Sequence, residues 1–151
     1  MIYMSSDKLS FLRKYFVSEE MVKPNRKVFV FKAGDLRSLF KDLIDNIGLE
    51  NFYVSNIIAT DFKDQGKIRL DYYVVLLPGE EVVVFRTFIP RDKPEIDTLL
   101  DMIPGVLNAE AEVYDLMGIV FRGNNTLRRG FFVPVDLVEK GIYPLRKDAE
   151  V

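Results

Sequence analysis

The chain has 151 residues, 48% hydrophobic and 29% charged, with a formal net charge of −2. That length and apolar content suit one globular domain with a sizeable core, and the near-neutral balance offers no basic surface for nucleic acid or anionic membrane. Cys and His are both absent, which excludes disulfides, thiolate nucleophiles, iron–sulfur and thiolate–zinc ligation, the usual haem ligand and the usual general base.

Residues 6–16, SDKLSFLRKYF, predict a short helix capped by Ser6 or Asp7. The N-terminal stretch MIYMSSDKLSF, which overlaps them, lacks the basic-then-apolar order of a secretion signal. RKVFVFKAG then reads as a strand of aromatic and β-branched residues. Leu36, Leu39, Phe40, Leu43, Ile44 and Ile47 form one apolar stripe on a helix, with Asp35 at its N-cap and Gly48 at its stop. Three strands follow: FYVSNIIATDF, GKIRLDYYVVLLP and GEEVVVFRTFIP. The polar turns KDQGK and LPGEE between them suit an antiparallel meander whose inner face packs on the helix. Residues 95–102 predict a short helix carrying Ile96, Leu99 and Leu100, and residues 107–116 predict a second. From Phe121 onward no period is sustained, yet the segment is too apolar for a disordered tail. The apolar runs YYVVLLP and VVVF fall far short of the ~20 residues of a membrane-spanning helix. A soluble, intracellular protein able to sit on a membrane complex is therefore expected. The fold expected is α+β: an antiparallel or mixed sheet of about four strands packed with helices, compact over 1–123, followed by an irregular extended docking tail over 124–151.

Chemistry concentrates after residue 109. Glu110, Glu112 and Asp115 form a carboxylate cluster, with Glu112 and Asp115 on one helical face. Two carboxylates plus water suit a hard cation such as Mg²⁺ or an acid/base pair. No GxxxxGK[ST] or GxGxxG phosphate loop accompanies them. Four arginines downstream, Arg122, Arg128, Arg129 and Arg146, favour ion pairing instead. Gly118 and Gly123 bracket IVFR and predict a turn, a short strand and another turn. Arg128 and Arg129, before GFFVPV, suit an anion site or, preferably, a fork docked on carbonyls or carboxylates. YPLRKD, 143–148, combines a rigid proline, an apolar anchor and three charges.

Taken together, EAEVYDLMGIVFRGNNTLRRGFFVP and YPLRKD resemble the signature of the complex I thirty-kilodalton subunit family. That family comprises the C-type subunit of NADH-quinone oxidoreductase (NADH dehydrogenase) with its relatives in membrane-bound [NiFe] hydrogenases and related archaeal complexes. The matching positions are Glu110, Glu112, Val113, Tyr114, Asp115, Gly118, Ile119, Phe121, Gly123, Leu127, Arg128 and Arg129, then Pro144, Leu145, Arg146, Lys147 and Asp148. The family pattern has Trp where this chain has Asn108, Arg where it has Ala111, Phe where it has Met117, and His-Pro where it has Asn124-Asn125. Those departures favour a hydrogenase-like or sulfur-reducing relative over respiratory complex I itself. The resemblance implies an accessory subunit without a cofactor of its own, peripheral on the cytoplasmic face of the membrane. Its implied partners are a [NiFe]-hydrogenase-like large subunit, related to the D-type subunit of complex I, and a small iron–sulfur subunit, which carry the iron–sulfur clusters and NiFe centre. In this picture Glu112 and Asp115 fix the turn before Gly118, the arginines make charge-assisted contacts, and Pro144 and Leu145 anchor the end. A stand-alone Mg²⁺-dependent enzyme built on the three carboxylates, and a homo-oligomer burying the tail against its own copies, are the competing readings.

Overall fold

Three successive segments rich in β-branched and aromatic residues set the frame of the molecule. In a computed structural model, which describes residues 8–22 and 26–149, these segments are β3 (Phe52–Phe62), β4 (Lys67–Leu76) and β5 (Glu81–Pro90), an antiparallel meander. Ile68, Leu70, Tyr72 and Val74 on β4, with Val83 and Phe85 on β5, are all completely buried on the same face. In β3 a bulge between Val54 and Asn56 shifts the register, so that Val54 and Ile57 both turn inward. β2 (Arg26–Phe31) joins β5 in parallel and β1 (Phe16–Val22) pairs antiparallel with β2, giving the order β1-β2-β5-β4-β3.

The inner face is covered by α1 (Leu36–Ile47), whose Leu36, Leu39, Phe40 and Leu43 are fully buried. Phe40 meets Phe85 edge-on at 5.7 Å and lies 5.8 Å from the Tyr72 ring. Asp35 occupies the N-cap position, but its side chain caps nothing; its backbone N–H instead bonds the Lys32 carbonyl at 2.8 Å in a preceding 3₁₀ turn. Gly48 ends the helix with φ of 96°, its N–H on the Ile44 carbonyl.

The α+β class and the mixed sheet agree with the sequence reading. The main sheet has five strands rather than about four, because β1 was not foreseen. Its residues FVSEEMV lie at the edge, nearly all exposed, and carry no apolar alternation. The helix expected over 6–16 is one 3₁₀ stretch, Ser10–Tyr15; Ser6 and Asp7 lie outside the described residues. The helix expected over 95–102 is corrected: Glu95–Asp97 form β6, parallel to β7 (Val120–Arg122). Its partner lies 25 positions downstream, as Glu95 facing Val120 shows, so local spacing could not reveal the pairing. Between them runs α2 (Leu107–Met117), the crossover that a parallel pair needs. After β7 the chain forms one further short helix, α3 (Val135–Glu139).

Candidate functional site

α2 carries three carboxylates into three different surroundings. Glu110 is completely buried. Its Oε1 accepts from Thr98 Oγ1 at 2.5 Å and Asn124 Nδ2 at 2.9 Å, and its Oε2 accepts from the Leu99 backbone N–H at 2.9 Å. Burial pushes this carboxyl above the ordinary range, against the pull of the three donors. Glu110 thereby ties the end of β6 to the loop after β7, with no arginine involved.

Asp115, also completely buried, faces the other way. Its Oδ1 accepts from Arg129 Nε at 2.9 Å and Gly130 N–H at 3.0 Å. Its Oδ2 accepts from Phe132 and Val133 N–H at 2.8 and 3.2 Å. Burial alone would raise this carboxyl, but the Phe132 and Gly130 amides and the Arg129 guanidinium outweigh it and hold it below the usual carboxylate range. Arg129 also donates to the Ile142 carbonyl at 2.5 Å and lies 4.1 Å from the Tyr143 ring centroid. That ring packs against Gly118, whose φ of 77° closes α2 in the left-handed conformation.

The last carbonyls of α2 lack partners within the helix, and the downstream segment supplies them. Leu145 N–H bonds the Leu116 carbonyl at 3.0 Å and Arg146 Nε bonds the Met117 carbonyl at 2.6 Å. A cation there also meets the negative end of the helix dipole. Farther on, Lys147 N–H reaches Asp61 Oδ2 at 2.8 Å, at the end of β3. Asp61 is gripped by Arg91 at 2.7 and 2.9 Å, and Arg91 bonds Asp148 at 2.9 Å. Arg91 holds both carboxyls below their ordinary range.

Of the expected residues, Phe121 is a core side chain and Leu127 packs on the core from the rim. Tyr114 and Pro144 are half-buried, and the Tyr114 carbonyl accepts the Gly118 N–H at 2.9 Å. Gly118 and Gly123, with φ of 77° and 93°, flank β7 as the turn–strand–turn reading anticipated. The proposed carboxylate–arginine pairing holds for Asp115 with Arg129. Arg122 pairs instead with Asp97 at 2.9 Å and Glu95 at 3.4 Å. Arg128 and Glu112 form no ion pair among the described residues. Leu145 is fixed by its backbone, while its side chain is 55% exposed. Thr98, Asp61 and Arg91 carry no signal in the sequence, since each is an ordinary residue whose partner belongs to another element, 12 positions away for Thr98 and 30 for the Asp61–Arg91 pair. Among the described residues no three His, Cys, Asp or Glu side chains converge to hold a metal. No helix there is long and apolar enough to cross a membrane.

The family model described as respiratory-chain NADH dehydrogenase, 30 Kd subunit, matches residues 29–151. The chain belongs to that family. The C-type subunit of the Moorella thermoacetica NADH-quinone oxidoreductase is 29% identical over 119 residues, 79% of this chain and 76% of that protein. The NADH-quinone oxidoreductase subunit 5 of Thermus thermophilus is 39% identical over 123 residues, 74% of this chain and 58% of that protein. The C-type subunit of the Methanosarcina mazei F420H2 dehydrogenase is 26% identical over 98 residues, 65% of this chain and 60% of that protein. Among solved structures, a chain of the membrane-bound sulfane sulfur reductase, an archaeal respiratory membrane complex, superposes with a TM-score of 0.80 at 25% identity. That likeness covers 98% of this chain and 84% of the other. A trypsin-resistant Nqo5 fragment shares the fold with a TM-score of 0.67 at 20% identity, over 84% of this chain and all of the fragment. The 30 Kd subunit family therefore accounts for the fold and for the motif.

Proposed function

We propose that this chain is a cofactor-free accessory subunit in the hydrophilic arm of a complex I-like, ion-translocating membrane oxidoreductase, of the membrane-bound hydrogenase or sulfur-reducing kind. It docks on a [NiFe]-hydrogenase-like large subunit through residues 124–151, held in place by the 110–129 motif, on the cytoplasmic face of the membrane. A small iron–sulfur subunit completes the arm, and electrons pass through clusters held by those partners. The observation that carries this reading is the likeness to a chain of an archaeal respiratory membrane complex over 98% of the present chain, a coverage too complete to leave out the segment after Gly123. The geometry supports it as well. Asp115 and Asp61 hold that segment in a fixed shape, while Phe131, Val135 and Leu145 point outward. A preformed apolar surface lowers the ordering cost of assembly. The NADH-quinone version of the same role is favoured by the 39% identity to the Thermus thermophilus subunit. A Mg²⁺ site built on Glu110, Glu112 and Asp115 lacks support, since the three carboxylates do not meet.

The test is to tag the chain in its own host, solubilise membranes gently and identify what co-purifies by mass spectrometry. A hydrogenase-like large subunit and an iron–sulfur small subunit are expected, and their identity separates the two versions. Recovery of the chain alone, or with its own copies only, would refute the proposal.

A further inference from the structure

We infer that the seam between β3 and α2 seats an extended segment of a partner chain in which a Lys or Arg stands between apolar side chains, with Glu112 receiving the cation. This rests on the reading of the chain as a subunit of a larger complex. Two adjoining grooves run along the seam and share Asn56 and Glu112. One, of about 490 Å³, extends to Phe131 and Phe132; the other, of about 90 Å³, extends past Ile58 to Leu145. Phe131 is 69% exposed, and Phe132, Ile58 and Leu145 are exposed as well, so the walls present apolar surface to solvent. Exposed apolar side chains grouped beside polar ones in this way suit a docking surface.

Among the described residues, Glu112 is the one charged side chain lining either groove. Nothing among them hydrogen-bonds or ion-pairs with its carboxylate. Covering it with a neutral or acidic segment would strand a charge without a partner, whereas a Lys or Arg satisfies it. The shape of the occupant follows from β3. That strand ends the sheet order, and among the described residues no backbone bond reaches Phe52–Phe62 from any element but β4. Apart from the Ile57 N–H, which already bonds Asn56 Oδ1 at 2.9 Å, its outer row of N–H and C=O groups suits a chain in extended conformation, as in strand addition at a sheet edge. Asn56, at the bulge, lines both grooves where they adjoin.

The test compares wild type, Glu112→Lys and Phe131→Ser, each tagged and purified with the intact complex from the host. Both side chains are free of intramolecular polar contacts among the described residues, and hydrogen-exchange protection of the Gly130 and Phe132 amides checks that each variant keeps its fold. At least tenfold less partner subunit is expected to co-purify with Glu112→Lys. A clear loss is expected with Phe131→Ser, and carbodiimide coupling or cross-link mapping in wild type should place a basic segment of another subunit at Glu112. Wild-type recovery of partners with a folded Glu112→Lys overturns the inference while leaving the subunit reading intact. A wild-type chain that brings down no partner removes both. Self-association of wild type that Glu112→Lys abolishes makes a second copy the occupant and overturns the inference.

Discussion

Replacing Asp115 with Asn isolates the charge that holds the segment after Gly123. The carboxylate accepts four hydrogen bonds, from Arg129 Nε and the N–H groups of Gly130, Phe132 and Val133. An Asn oxygen placed toward Arg129 and Gly130 leaves its NH₂ facing the Phe132 and Val133 N–H groups, donor against donor. Arg129, whose side chain is 14% exposed, then has no counter-charge. Breaking a buried pair by removing one partner costs about 3–5 kcal/mol. Arg129 keeps the Ile142 carbonyl and the Tyr143 ring, and the segment can open to water, so the lower end applies. A loss of about 3 kcal/mol in local opening corresponds to roughly a hundredfold faster exchange at the Gly130, Phe132 and Val133 amides. The Leu70 and Val74 amides in β4 should keep their protection. Hydrogen exchange read by NMR or mass spectrometry gives both. Unchanged exchange at residues 130–133 would refute the clamp, and equal loss of protection in β4 would refute its separability from the body.

The remaining predictions use the same contacts. Glu110 has its folded pKa raised by burial, so its stabilising contribution is complete below about pH 4 and is lost as pH rises through the folded value. Wild type should therefore lose thermal stability relative to Glu110→Gln between about pH 4 and neutrality, and equal pH slopes of Tm would contradict this. Asp61 and Asp115 have folded pKa values lowered, so what they contribute is present above about pH 4 and lost as pH falls below it. Exchange at the Lys147 amide, corrected for intrinsic rate, should accelerate there; constant protection down to about pH 2.5 would count against the Asp61 clamp. Gly118→Ala forces a left-handed Ala, costing about 1–2 kcal/mol, and sets a methyl 3.1 Å from the Tyr143 ring. A Tm lowered by several degrees is expected, and an unchanged Tm would sink the argument.

What could be read in advance was whatever repeats over short distances. The stripe from Leu36 to Ile47 matches α1 end to end because inward residues recur at the helical period, and FYVSNIIATDF matches β3 through its β-branched and aromatic content, its inward alternation being broken at the bulge. Gly118 and Gly123 announced β7 because each had to turn the chain. Ile96 and Leu99 misled because their spacing suits a helix, while the strand that claims Ile96 arrives only at Phe121. β1 was silent because an edge ribbon exposed on both faces needs no apolar pattern. In the motif, the pairing of Asp115 with Arg129 was among the combinations foreseen. The partners of Glu110 were not, since a Thr, an Asn and a backbone amide leave no charge pattern in a sequence.

The bond between Lys147 and Asp61 spans 86 positions, and that span imposes an order of events. Asp61 takes its place when β3 pairs with β4, a local step between neighbouring strands. The amide it receives lies 86 positions downstream, so that contact closes a far longer loop than the pairing of β3 with β4 does. Synthesis from the N-terminus reinforces the same order. A nascent chain can thus complete its sheet and α1 while the segment after Gly123 is still unlatched. The outward apolar side chains of that segment then reach their final positions only on a body that has already folded, so an unfinished copy does not offer the finished surface.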